Sequence, residues 1–410
     1  MKNLAPTKQL PFAEFVTLMA LLIALVAVSI DAMLPALPEI GAELGVRQAN
    51  DSQLIITWLF IGMGIGQLFY GPISDSVGRK PIIYLGLGIF SIGCILSITA
   101  TTYSMMLFAR LLQGLGIAGP RSVAVAIVRD QFSGRMMARV MSFIMSVFIL
   151  VPIIAPAIGQ GILLFAGWRS IFGFYLVLTL IAFLWYALRQ PETLLPESRI
   201  PFKIVTISAA FREVFSNRIA LGYTIAAGLI SGAFLGYLNS AQPVFQVQYG
   251  LGTRFPLIFA IIAISNGLAS FLNARLVLRF GMRKLSHGAN NALALISILY
   301  LLYAYQMQGN PPLWTFIAYF LVNFFAVGIL FGNLNALAME PLGHIAGVGA
   351  AVVGSLATLI STPLGAWIGL EFNGTVLPVI SGFAILCVLT IFVMRWADGS
   401  QQVQPTIEQF

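Results

Sequence analysis

Gly71-Pro72-Ile73-Ser74-Asp75-Ser76-Val77-Gly78-Arg79-Lys80 joins two apolar runs, residues 53–73 and 82–101, through a polar stretch with room for little more than a turn. Gly71, Asp75 and Arg79 recur every four residues, so they share a face if the first run continues as a helix. Gly78 supplies the backbone freedom that a turn needs, and the cations Arg79 and Lys80 open the second run. A bilayer core of about 30 Å takes about 20 apolar residues of helix to cross. The decapeptide therefore reads as the turn of a membrane hairpin, with its charge gathered on one side of the bilayer.

The rest of the chain repeats that pattern. Hydrophobic residues make up 59% of the 410 and charged residues only 9%, with a mean hydropathy of +0.93. Soluble domains carry about 25% charged residues, and a chain of this size has no means of hiding so much apolar surface from water. Twelve runs are long enough to span: 16–38, 53–73, 82–101, 104–127, 138–163, 168–188, 219–241, 255–277, 286–306, 313–337, 345–369 and 376–396. The tenth and eleventh are divided only by Glu340, Pro341 and His344. The first run is preceded by Glu14 and no small-residue cleavage site follows it, so an uncleaved helix is expected there. The expected architecture is an all-α membrane protein with twelve transmembrane helices in two six-helix bundles. Residues 1–188 form the first bundle, 189–218 a cytoplasmic linker with a short helix near 209–215, and 219–410 the second bundle with a short cytoplasmic tail.

Lys and Arg set the orientation. Sixteen of the 22 lie at the N-terminus, at the C-terminus or in alternate loops: Lys2, Lys8, Arg79, Lys80, Arg129, Arg135, Arg139, Arg189, Arg199, Lys203, Arg212, Arg218, Arg279, Arg283, Lys284 and Arg395. The opposite loops hold only Arg47, Arg169 and Arg254. Both termini are therefore expected in the cytoplasm. The net charge of +8 is accounted for by this topology, and nucleic acid is not an expected partner. Gly281-Met282-Arg283-Lys284 follows the eighth run as Gly78-Arg79-Lys80 follows the second, about half a chain apart. Paired halves of this kind place a transporter's substrate site between them.

Charges inside the runs are few, and each has to be explained. Burying an arginine at the bilayer centre costs about 2.5–3.5 kcal/mol or more. Arg110 lies in the fourth run, and the carboxylate found well inside a run is Asp31 of the first. Counted from the outer ends of their helices, both lie roughly 10 Å deep at 1.5 Å per residue. Pairing is thus possible, and a substrate that disturbed the pair would alter proton affinity. A static structural pair is the alternative. Arg121, eleven residues beyond Arg110, projects from nearly the same face. It either lines a cavity, favouring neutral, zwitterionic or anionic substrates, or snorkels towards the cytoplasm or pairs with Asp130. In the fifth run, Pro152, Pro156 and Gly159 bring bends and close approach. The second half offers Tyr237, Asn239, Ser240 and Gln242 on the seventh run, with Asn266, Asn323, Asn333 and Asn335 further on.

These segments resemble the major facilitator superfamily. Gly71 to Lys80 resembles its loop 2–3 signature, and the implied cytoplasmic gate is Gly71, Asp75, Gly78, Arg79 and Lys80; a simple basic anchor is the bland alternative. Arg110-Leu111-Leu112-Gln113-Gly114 resembles the family's fourth-helix motif. Val151 to Gly161 resembles its antiporter motif, although Val151, Ala155 and Gln160 stand where that motif has glycines. Asp31 to Pro38, Val128 to Phe132, Met141 to Phe143 and Gly167 to Phe172 are similar to the bicyclomycin-resistance (Bcr/CflA-type) drug:proton antiporters. The resemblance is strong over residues 28–195 and diffuse beyond.

It implies multidrug or small-molecule efflux across a bacterial inner membrane by alternating access, with protons and a small amphipathic compound as partners. Asp31 and Arg110 are the implied proton-coupling residues. The candidate substrate contacts are Asp31, Gln113, Arg121, Tyr237, Asn239, Gln242 and Asn333. Export of an endogenous metabolite such as a siderophore, and proton-coupled uptake, are the alternatives. No cofactor, metal or enzymatic activity is expected. Cys94 and Cys387 lie apart inside apolar runs, and His287 and His344 stand at loop edges without a nucleophile or acid at a suggestive spacing. A phosphate-cradling loop is absent, and a monomer is the expected unit.

Overall fold

The computed structural model describes residues 10–399. Lys2, Lys8, both chain termini and the expected C-terminal tail lie outside that range. Fourteen α-helices are present among the described residues: α1 (Phe12–Asp31), α2 (Leu37–Glu43), α3 (Leu54–Val77), α4 (Arg79–Ile98), α5 (Tyr103–Gln131), α6 (Gly134–Phe165), α7 (Arg169–Arg189), α8 (Ile204–Ser216), α9 (Arg218–Gln242), α10 (Phe255–Phe280), α11 (Met282–Gln306), α12 (Leu313–Met339), α13 (Ala346–Leu370) and α14 (Leu377–Asp398). Twelve of these correspond to the apolar runs. The weak break between the tenth and eleventh is real: a short 3-10 turn, Glu340–Ile345, separates α12 from α13 and carries non-helical backbone at Leu342.

One expectation needs correction. The first run was expected as a single helix over 16–38, but α1 stops at Asp31, a 3-10 turn covers Leu34–Ala36, and α2 resumes at Leu37. Pro35 and Pro38 account for the interruption, because neither can donate to the turn before it.

The chain forms two compact units, Met1–Lys203 and Ile204–Phe410. The stretch 189–218 is thus divided between them: residues 190–203 belong to the first unit, and α8 packs in the second, burying Ile207, Ala210 and Val214.

Glycine decides how closely the helices approach, since apolar association gains little inside a lipid solvent and contact must come from packing. In the first unit, α5 is the central helix. A Cβ at Gly114 would sit 1.9 Å from the Leu59 carbonyl oxygen of α3, and one at Gly116 would sit 2.3 Å from the Phe90 nitrogen of α4. In the second unit, Gly228, Gly232 and Gly236 form a stripe on α9, one helical turn apart. Ile360, Leu364 and Ile368 of α13 fill it at the same spacing, as ridges packing into grooves.

Replacing Gly114 by Ala is therefore expected to lower stability by about 1–3 kcal/mol through overpacking. Gly88→Ala, where a Cβ meets nothing within 4 Å, leaves stability unchanged or slightly raised. Thermal unfolding of the two purified variants in detergent checks both.

Candidate functional site

The break in α1 organises the interior of the first unit. The last carbonyls of a helix have no partner within it, and α1 ends at Asp31. Arg110, fully buried on α5, donates from Nη2 to the Ser29 carbonyl at 3.0 Å and from Nε to the Ile55 carbonyl of α3 at 3.2 Å. Its Nη1 donates to Gln113 Oε1, and Gln113 Nε2 donates to Ser97 Oγ of α4 at 2.8 Å. One guanidinium thus ties α1, α3, α4 and α5 together. α6 closes on the same break: a Cβ at Gly159 would lie 1.8 Å from the Ala32 carbonyl oxygen. Pro152 and Pro156 sit inside α6, which runs unbroken from Gly134 to Phe165.

Asp31 sits at this break, buried, with a carboxylate that makes no ion pair or hydrogen bond among the described residues. The Asp31–Arg110 pair that their equal depth allowed is not formed here. Backbone carbonyls at the broken helix satisfy the arginine instead. The Tyr175 hydroxyl of α7, buried and without a hydrogen bond among the described residues, lies within electrostatic reach of both Asp31 and Arg110. Sequence reasoning missed Tyr175, because an aromatic residue in an apolar run carries no signal of its own.

The other candidates divide. Arg121 lies three turns further along α5, half-buried, with Nη1 3.4 Å from the Met63 sulfur of α3. It does not pair with Asp130, which is taken by Arg79. In the second unit, Tyr237 of α9 is packed among Phe259, Phe320 and Phe324, with ring centroids 4.6–5.9 Å away. Asn239 is fully buried, and both of its amide atoms lack hydrogen-bond partners among the described residues. Gln242 donates to Gln246 at 3.1 Å. Asn333 exchanges two hydrogen bonds with Asn273, 3.0 and 3.1 Å, joining α12 to α10.

The Gly71–Lys80 segment folds into one charge cluster within the first unit. Arg79, buried, pairs with Asp75 and reaches Asp130 at the end of α5 at 2.8 Å. It also donates to Ser74 Oγ at 2.7 Å. Gly78 has φ of +112°, a conformation suited to glycine. Glu192, which the sequence did not single out, accepts from the backbone nitrogens of Arg79 and Lys80, both at 2.9 Å. It caps α4, where a carboxylate meets the positive end of the helix.

The second unit repeats the arrangement. Arg283 pairs with Glu340 at the end of α12 at 2.8 Å, and Asp398, at the end of α14, accepts from Tyr223 at 2.8 Å and lies 2.6 Å from His287. His344 meets Glu213 of α8 at 2.7 Å. Both histidines therefore have acid partners, 111 and 131 residues away in sequence, too distant for any local spacing to reveal.

Residues 19–366 match the family model described as Major Facilitator Superfamily. The chain is 31% identical over 359 residues to the uncharacterised MFS-type transporter YdgK of Bacillus subtilis, covering 86% of this chain and 88% of that one. It is 29% identical over 381 residues to the bicyclomycin resistance protein homolog of Haemophilus influenzae, covering 92% and 94%. The Escherichia coli xylose transporter XylE, in a partially occluded inward-open conformation, superposes with a TM-score of 0.70 at 14% identity, covering 97% of this chain and 99% of that one; this last likeness concerns the fold alone.

Glu192→Ala removes the cap of α4 and is expected to cost about 1 kcal/mol. Hydrogen–deuterium exchange should show faster exchange in the first turn of α4, with the middle of that helix unchanged.

Proposed function

The chain belongs to the major facilitator superfamily and is a multi-pass membrane protein, and from that premise we propose that it exports small amphipathic compounds, drugs among them, in exchange for protons. What carries the proposal is Asp31: a buried carboxylate without an ion-pair partner among the described residues, at a helix break and two residues from Ser29, whose carbonyl holds Arg110. Relatives over most of the chain's length bear the names bicyclomycin resistance protein homolog and multidrug resistance protein D, which favours efflux over uptake. The membrane in question is the bacterial inner membrane, with the Gly71–Lys80 side and both termini in the cytoplasm, on the strength of the Lys and Arg distribution.

In the cycle we infer, Asp31 exchanges one proton with each passage. A carboxylate closed off from water in a low-dielectric interior is costly while charged, so closure around Asp31 favours its protonated form, and hydration on the cytoplasmic side favours release. Substrate taken up from the cytoplasm or inner leaflet and a proton arriving from outside then alternate at the site. The Arg110 network holds α1, α3, α4 and α5 in register, so that movement of the α1 break is transmitted to the whole unit. The cluster of Asp75, Arg79 and Asp130 is the element that gates the cytoplasmic side.

In proteoliposomes with an imposed pH gradient, phenicols, bicyclomycin-like compounds and siderophores serve as the substrate panel. Wild type is expected to couple transport of at least one class to proton movement. Asp31→Asn is expected to retain binding of that compound and lose gradient-driven transport to background. Transport by Asp31→Asn at the wild-type rate would remove Asp31 from the coupling role.

A further inference from the structure

Arg121 is a cation whose charge is left unanswered. A guanidinium presents five N–H donors and takes carboxylates through two parallel hydrogen bonds. Arg110 shows what the interior of this protein does with such a group when its purpose is architectural: two backbone carbonyls and a glutamine amide oxygen surround it. Arg121 has none of these. Its hydrogen-bond contact is the thioether of Met63 at 3.4 Å, a weak and neutral acceptor, and among the described residues it joins no salt bridge.

Asp130, nine residues further along α5, and Asp75 of α3 are committed elsewhere. Asp130 receives Arg79 at 2.8 Å and Thr193 at 3.0 Å, and Asp75 is also held by Arg79. Asp31 belongs to the α1 break, alongside the Arg110 network, whereas Arg121 stands eleven residues beyond Arg110, about 16 Å along the axis at 1.5 Å per residue. Eleven residues is close to three full turns, so both arginines leave α5 on nearly one face. The side chain is half-buried and anchored at the α3–α5 seam by Met63, and its other donors meet no acceptor among the described residues. In an apolar medium that is a costly arrangement for a residue with a purely structural role.

Resting on the exporter reading above, we propose that Arg121 is the anion-recognition residue of the substrate path, and that the compounds this protein handles best carry a carboxylate or a comparable planar oxyanion. The oxyanion completes the hydrogen bonding that Met63 cannot supply. Lysine, a point charge without the planar fork, replaces it only in part. A carboxylate-bearing substrate can be a monoanion or a zwitterion, since the recognition concerns the group and not the net charge.

The test uses the full-length protein in lipid nanodiscs and two probes that differ at one group, rhodamine B and its ethyl ester, with affinity read by fluorescence anisotropy. Wild type is expected to bind the acid. Arg121→Met and Arg121→Gln are expected to weaken that binding about tenfold or more while changing the ester's affinity less than about twofold. Arg121→Lys recovers part of the loss, and wild-type melting temperatures in the variants exclude misfolding. Equal effects on acid and ester, no effect on either, or no binding of rhodamine B by wild type would each overturn the proposal. Gradient-driven export of chloramphenicol, which has no carboxylate, is measured in parallel. It reports on the exporter reading by itself, so the two ideas fail separately.

Discussion

A guanidinium buried at membrane depth has to be solvated by protein, and the way Arg110 is solvated shapes the first unit. An ion pair with Asp31 is not made. The acceptors are the carbonyls of Ser29 and Ile55 and the side chain of Gln113. The Ser29 carbonyl is available because α1 stops two residues later, and α1 stops because Pro35 and Pro38 interrupt the run. Gly159 then lets the backbone of α6 rest against the Ala32 carbonyl. The break, the arginine and the glycine form one construction: losing the break or the arginine leaves a buried polar group without a partner, at a cost of about 1–3 kcal/mol, and a side chain at Gly159 would collide with the Ala32 carbonyl. Asp31 sits at the centre of it with its own carboxylate uncommitted, which is what a group that exchanges a proton needs.

A second construction occurs twice. In each unit an arginine at the start of the third long helix meets an acid at the end of the fourth, Arg79 with Asp130 and Arg283 with Glu340. An acid beyond or at the end of the sixth completes each cluster. The halves differ in what that acid does. Glu192 caps backbone nitrogens of α4, whereas Asp398 takes side chains, Tyr223 and His287. The first cluster is the more buried and the more tightly bonded. That asymmetry fits a gate set by the Gly71–Lys80 segment, with the second cluster as a looser counterpart.

The membrane fold was legible because its signals are local. Run length and the narrow break at Glu340–Ile345 read directly from neighbouring residues, and Gly78-Arg79-Lys80 is a short pattern with a counterpart in Gly281-Met282-Arg283-Lys284. The discontinuity of α1 was not, since hydropathy averages over a break that Pro35 and Pro38 only hint at. The partners of Arg110 were out of reach for a different reason. They are backbone carbonyls 55 and 81 residues away, and any residue can supply a carbonyl, so side-chain inventories point to Asp31 instead. Glu192 and Asp398 were hidden likewise, by sequence separations of over a hundred residues from the groups they hold. Of the candidate substrate contacts, Asn333 proved to be committed to Asn273, while Asn239 and Arg121 retain polar capacity.

The central claim is that Asp31 is the site where a proton is bound and released. Infrared difference spectroscopy of the protein in nanodiscs, titrated with pH, examines it without any substrate. The account predicts a protonated-carboxyl stretch from a low-polarity environment that disappears as the pH rises and is missing from Asp31→Asn. Spectra of wild type and Asp31→Asn that coincide throughout the titration would contradict it.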